Sequence, residues 1–194
     1  MESFVECVPN LSEGTDRATL DAIADSIEDH AGAWILDRTA DSDHGRAVFT
    51  LAGFPGRVMS AMEAAVGVAV ERIDMNAQSG RHPRIGAVDV IPFVPLGDTT
   101  MEQCVAGAEA FAQRIAERFE LPVYLYARAA RSPGREKLAQ IRRPGYEGLA
   151  EAMVQPGGEP DFGPARPHPT AGATVVGARP FLIAWNIQLS TTDV

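Results

Sequence analysis

The 194-residue chain has only two cysteines, Cys7 and Cys104, too few for a disulfide framework. Each has apolar sequence neighbours, which predicts two buried free thiols. Basic residues are also scarce. There are 17 Lys and Arg against 26 Asp and Glu, a formal net charge of -9. That balance excludes a general nucleic-acid binder, which needs a basic face to neutralise phosphates. It leaves room for a local basic cleft that takes a small anion. No apolar run approaches the roughly 20 residues of a membrane span. The acidic amino terminus lacks a basic segment followed by an apolar one, so a cytoplasmic protein is expected. HxH, HExxH and CxxC spacings are missing, so no metal is expected, although His44, His82 and His168 have Asp37, Asp43 and Asp89 as possible companions. A nucleophile-elbow motif is missing as well. So is a glycine-rich phosphate fingerprint after the first strand, which argues against a doubly wound parallel sheet.

The chain does have the composition of one globular unit, with 45% hydrophobic and 22% charged residues. Apolar spacing predicts strands over residues 4–9, 33–37, 46–52, 87–94, 122–127, 173–176 and 181–189. It predicts helices over 16–29, from Pro55 through Ile73, and from a Thr99–Glu102 capping box through Ile115. Short helices are expected at 135–141 and 146–153, followed by an irregular Gly- and Pro-rich stretch over 155–172. This order mixes hairpins with crossovers. It predicts an α+β two-layer sandwich, a mixed β-sheet with helices on one face, built from ferredoxin-like split βαβ elements. The strands around Phe49, Val88, Ile91, Ile183 and Trp185 read as apolar on both sides. Helices on one face would then leave the other bare, which predicts a homodimer or a separate covering partner.

The most informative segment is Gly80-Arg81-His82-Pro83-Arg84-Ile85-Gly86, ahead of the apolar run Ala87 to Phe93. It sets one histidine between two arginines in a loop stiffened by proline. Histidine titrates near neutrality and suits proton transfer, and Arg81 and Arg84 suit an anionic substrate. A positive neighbour such as Arg81 should also lower the pKa of His82. In Asp43-His44-Gly45-Arg46, His44 stands beside a carboxylate that can fix its tautomer, although this is equally an Asp-rich turn. Arg46, at the start of a strand, can clamp a carboxylate bidentately.

These motifs carry a resemblance to the formiminotransferases, folate enzymes that move a formimino group from N-formimino-glutamate to tetrahydrofolate. The opening Val5-Glu6-Cys7-Val8-Pro9-Asn10-Leu11-Ser12-Glu13-Gly14, the segments around His44 and His82, Pro122-Val123-Tyr124-Leu125-Tyr126, Asp161-Phe162-Gly163-Pro164 and Gly177-Ala178-Arg179-Pro180-Phe181 all resemble family signatures. The resemblance implies His82 as catalytic acid/base in histidine degradation. From the residues themselves, His44, Arg46, Arg81 and Arg84 are the candidate substrate contacts; the resemblance implies tetrahydrofolate as co-substrate. It also implies a folate-contacting segment, Gly163-Pro164-Ala165-Arg166-Pro167-His168-Pro169-Thr170-Ala171-Gly172. The matching region, residues 1–190, corresponds to the family's amino-terminal subdomain, and the second subdomain is not expected in this chain. Gly45 and Arg81 stand where the family usually has Asn and Glu. Three readings stay open here: the folate-dependent transferase, a half-domain turned to a non-folate substrate through His82, and a non-catalytic binding module.

Overall fold

The computed structural model of the chain describes residues 2–183. Its strands are β1 (Ser3–Cys7), β2 (Asn10–Leu11), β3 (Ala33–Asp41), β4 (Arg46–Gly53), β5 (Val88–Gly97), β6 (Val123–Ala127) and β7 (Thr174–Ala178). Its helices are α1 (Arg17–Glu28), α2 (Pro55–Arg72), α3 (Met101–Phe119) and two short ones, α4 (Leu138–Ile141) and α5 (Leu149–Met153). The strands form one mixed sheet. β1 and β2 share a single lane between β4 and β5, antiparallel to both. β3 flanks β4 antiparallel, and β5, β7 and β6 run parallel in that order. Thus β1–α1–β3 spans β4, and β4–α2–β5 spans β1, which is the interlocked split βαβ pair expected of a ferredoxin-like unit. The unit β5–α3–β6 with β7 extends the sheet by two parallel strands.

Local chemistry sets the helix starts. Asp16 caps α1, its carboxylate accepting from the N–H groups of Ala18 and Thr19 at 3.0 and 3.3 Å. Pro55 opens α2, where its missing N–H costs nothing. The capping box of α3 lies one residue later than Thr99–Glu102. Thr100 accepts from Gln103 N–H at 3.2 Å, and the Gln103 side chain accepts from Thr100 N–H at 2.8 Å. Glutamine serves the reciprocal position as well as glutamate, which frees Thr99 to be buried.

Leu20, Ile23 and Ile27 of α1, Val58, Met62 and Val66 of α2, and Phe111 and Ile115 of α3 bury one sheet face. They pack on Val5, Phe49, Leu51, Ile91 and Phe93. Phe93 meets Phe111 edge-on, with ring centroids 5.4 Å apart. Cys7 and Cys104 are free thiols in this core, and burial raises both pKa values, that of Cys104 to about 11.

A second, smaller core occupies the opposite face of the parallel half. There Val90, Tyr124, Tyr126 and Val175 meet Leu149, Met153, Leu138 and Ile141. Part of the face expected to be bare is therefore covered by α4 and α5. Phe49, Val88 and Ile91 belong to the helix-side core instead. The rest of the far face carries partly buried Arg46, Val48, Thr50 and Ala52 of β4, with Trp34 and Leu36 exposed on β3. Of the expected last strand, residues 181–183 are exposed and in no strand, and the remainder lies outside the described residues. No described helix is long and apolar enough to cross a membrane.

Candidate active site

The turn joining β3 to β4 and the loop joining α2 to β5 meet at one end of the sheet. Their backbones touch. Gly45 has φ +61°, and a Cβ there would lie 2.6 Å from the Ser79 carbonyl oxygen. A Cβ on Gly80 would lie 2.3 Å from the His44 carbonyl oxygen. Glycine is needed at both places, and the approach brings His44 and His82 together. The result is an open cleft of roughly 650 Å³ lined by Thr39, Ala40, Asp41, His44, Arg46, Val48 and His82.

The opening segment of the chain holds this site from beneath. Buried Glu13 accepts through Oε1 from the N–H groups of Thr15 and Asp16 at 2.8 and 2.9 Å and from the Thr15 hydroxyl at 3.0 Å. Its Oε2 accepts from the Gln78 side chain at 2.7 Å, at the root of the His82 loop. Burial pushes the Glu13 pKa up, but these hydrogen bonds outweigh it and the net direction is down. Arg84 donates to the Gln78 carbonyl at 2.9 Å and pairs loosely with Glu147. Ser12 donates to the Gly86 carbonyl at 2.7 Å. The loop is thus tied at both ends.

His44 donates from Nδ1 to Asp41 Oδ2 at 2.8 Å, which leaves its Nε2 as the acceptor when the ring is neutral. Arg46 donates to the Asn10 side chain, and its buried Nε has no hydrogen-bond partner. The pKa of His82 is held down at about 4, first by burial and then by the charges of Arg46, Arg142 and His44. The direction is the one expected from a neighbouring cation. The strongest cationic influences are Arg46 and Arg142, from β4 and the end of α4, ahead of the adjacent Arg81, which is exposed. Arg142 donates to Asp89, a carboxylate only 2% exposed that also accepts from Ile85 N–H at 2.9 Å. Burial raises the Asp89 pKa, partly offset by Arg142. At pH 7 the site is a neutral imidazole beside a cationic wall.

Of the sequence candidates, His44, Arg46 and His82 line one cleft. Arg81 sits in the same loop, its N–H directed at the Asp43 carbonyl at 3.4 Å. Arg84 turns toward Gln78 and Glu147 instead. The segment from Gly163 to Gly172 does not line the cleft. Its far end is seated next to the His82 loop by bonds from Met75 N–H to Thr170 O, Ala87 N–H to Ala171 O and Ala173 N–H to Ile85 O, at 2.8, 2.9 and 3.0 Å. Arg166 is exposed. His168 spends its Nδ1 on the Ala171 N–H at 3.0 Å, closing its own turn. Among the described residues no three His, Cys, Asp or Glu side chains gather as metal ligands. Sequence reasoning missed Asn10 and Glu13 as supports, and Arg142 altogether. The one available signal was Asp89, a lone carboxylate inside an apolar strand.

Fold and cleft define a class: a split βαβ sandwich that presents a histidine and an arginine at one sheet end. The family model described as the formiminotransferase domain, N-terminal subdomain, matches residues 4–179, and the chain belongs to that family. It is 47% identical over 194 residues to glutamate formimidoyltransferase of Thermoplasma acidophilum, covering 99% of this chain and 64% of the relative. Against the enzyme of that name from Streptococcus pyogenes serotype M1 it is 40% identical, covering 65% of the relative. Against mouse formimidoyltransferase-cyclodeaminase it is 46% identical over 192 residues, 99% of this chain and 36% of the relative. The chain thus spans about a third of the two-function relatives and just under two thirds of the single-function ones.

Proposed function

We propose that the chain takes part in formimidoyl transfer from N-formimino-L-glutamate to tetrahydrofolate, with His82 as the proton-transfer group. The observation that carries the reading is the neutral imidazole of His82 in one open cleft with the Arg46 guanidinium, whose buried Nε has no hydrogen-bond partner. The names of the relatives support it. In this reaction an amine of the folate attacks the amidine carbon and becomes cationic. Its proton must leave, and the departing glutamate nitrogen must gain one. An imidazole that is unprotonated in the free site can accept the first proton and return it to the leaving nitrogen. Positioned proton transfer of this kind contributes about 10²–10⁴-fold in rate.

Arg46 is suited to a glutamate carboxylate, for which its guanidinium supplies a planar fork. Asp41 holds the His44 ring in one orientation at the rim. We assign the folate to the Gly163 to Gly172 turn, which lies outside the cleft lining but is anchored beside residues 85–87, next to the His82 loop. A second copy of the chain, or a separate second subdomain, would complete the far wall over β3 and β4. The test is direct. The chain, alone and with any separately encoded second subdomain, is given both substrates, and 5-formimino-tetrahydrofolate is followed by absorbance. Transfer above the uncatalysed rate supports the reading, and its absence under both conditions rejects it.

A further inference from the structure

We propose that His44 is the residue that tells a formimino group from a formyl group, by presenting an unprotonated Nε2 to the N–H of the group being transferred. The inference rests on the transferase reading for its substrate, but its geometry stands apart. Asp41 divides its carboxylate between two tasks. Oδ1 accepts from the N–H groups of Asp43 and His44 at 2.9 and 3.0 Å, and Oδ2 accepts from His44 Nδ1 at 2.8 Å. An ionised carboxylate can only accept. In a neutral ring the proton therefore sits on Nδ1, and Nε2 is the lone-pair nitrogen. Among the described residues the ring's hydrogen-bond partner is Asp41 alone, so Nε2 is left for the cleft that His44 lines. The turn is held in place as well. Gly45 N–H donates to the Ser42 carbonyl at 3.3 Å, and Gly45 and Gly80 pack backbone against backbone.

Formimino and formyl groups are nearly the same size and differ at one atom. The first ends in a nitrogen that carries hydrogen, the second in an oxygen that carries none. In either transfer the folate amine bonds to the one-carbon atom, the bond from that carbon to the glutamate nitrogen breaks, and one proton passes from the attacking to the leaving nitrogen. The terminal atom behaves differently in the two. The formimino nitrogen stays an N–H donor throughout, and Nε2 can accept from it at every stage. The formyl oxygen gathers negative charge as the amine adds and needs a donor. Here it meets a lone pair backed by the Asp41 carboxylate. The Asp41–His44 pair and the Arg46 cation also give the cleft a polarity. That suits a substrate cationic at its amidine and anionic at its carboxylates. A site built around a hydrogen bond rejects the analogue that cannot make it. Asp41 and His44 are half exposed, so water softens the rejection. About tenfold is expected, the low end for a bond to a charged group.

The unmodified protein gives the first readout, which keeps the test valid if a variant misfolds. NMR of the His44 ring nitrogens at pH 8, where an ordinary imidazole is neutral, should show hydrogen on Nδ1 and none on Nε2. Calorimetric titration at the same pH should show N-formimino-L-glutamate binding about tenfold more tightly than N-formyl-L-glutamate. In Asp41→Asn the amide oxygen keeps the two backbone N–H groups, and the amide nitrogen faces Nδ1 as a donor. The ring hydrogen then moves to Nε2, and the preference should disappear. His44→Phe keeps the Asp41 charge but removes the acceptor, and the preference should disappear there too. Hydrogen on Nε2 in the native protein, equal affinity for the two ligands, or a preference that survives either substitution overturns the proposal. Transfer from N-formimino-L-glutamate without such a preference would reject His44 as the selecting residue and leave the transferase reading in place. The preference without transfer supports the selecting role and counts against the transferase reading. Failure of both ligands to bind rejects both.

Discussion

Replacing Glu13 by alanine should loosen the loop that carries His82. Glu13 is 4% exposed, and its carboxylate accepts four hydrogen bonds, three from Thr15 and Asp16 and one from the Gln78 side chain. A hydrogen bond to a charged group contributes about 1.5–3 kcal/mol. The four do not count equally. Thr15 and Asp16 are exposed, so their donors turn to water once the carboxylate is gone. The Gln78 bond and the lost side-chain packing remain, which gives an expected loss of about 2–4 kcal/mol. Urea unfolding of both proteins at pH 7 measures it. The pH dependence adds a second check. The folded pKa of Glu13 is depressed, so its contribution is full above the unfolded value of about 4.3 and fades as pH falls through the folded value. The two unfolding curves should therefore converge in acid. Amide exchange at residues 79–84 should speed up in the variant. A loss below about 0.5 kcal/mol with unchanged exchange in that loop would refute the claim that Glu13 anchors it.

At Gly45 the order of stability should be Gly, then Asn, then Ala. Asparagine tolerates positive φ better than alanine, both meet the Ser79 carbonyl, and the alanine variant should lose about 1–3 kcal/mol by thermal unfolding. Because folding holds His82 neutral, stability should fall as pH drops from the unfolded value of about 6.5 toward about 4. His82→Gln should flatten that part of the profile, and an unchanged profile would count against the assigned titration. Light scattering at micromolar concentration should report a dimer, reflecting Trp34 and Leu36 exposed beside the half-covered face. A strict monomer would leave that face to a different partner.

The helices and most strands were legible because their apolar residues repeat at helical or strand spacing over enough length. The half-buried strand β4 alternates cleanly along Ala47, Phe49 and Leu51. The error at Thr99 is instructive. Two adjacent threonines offer two capping boxes, one closed by Glu102 and one by Gln103, and only the turn before them decides which threonine faces inward. The site was legible where one short segment held the chemistry, as at His82. It was not legible where the partners lie far apart in sequence. Nothing local marks Arg142 as a neighbour of Arg46, nor Glu13 as the support of Gln78, because the sheet brings these pairs together. Arg81 misled for the opposite reason. Adjacency in sequence suggested adjacency of charge, yet Arg81 is exposed while the distant Arg46 and Arg142 act more strongly on the ring.

The role of His82 is tested most directly by the rate of formimidoyl transfer from N-formimino-L-glutamate to tetrahydrofolate, compared between the native protein and His82→Ala at pH 7 and matched concentration. His82 is partly exposed in a loop, so the variant is expected to fold, which circular dichroism checks. The account predicts a fall of about 10²–10⁴-fold in kcat, the range that a positioned proton-transfer group contributes. A variant that transfers the group as fast as the native protein would contradict it.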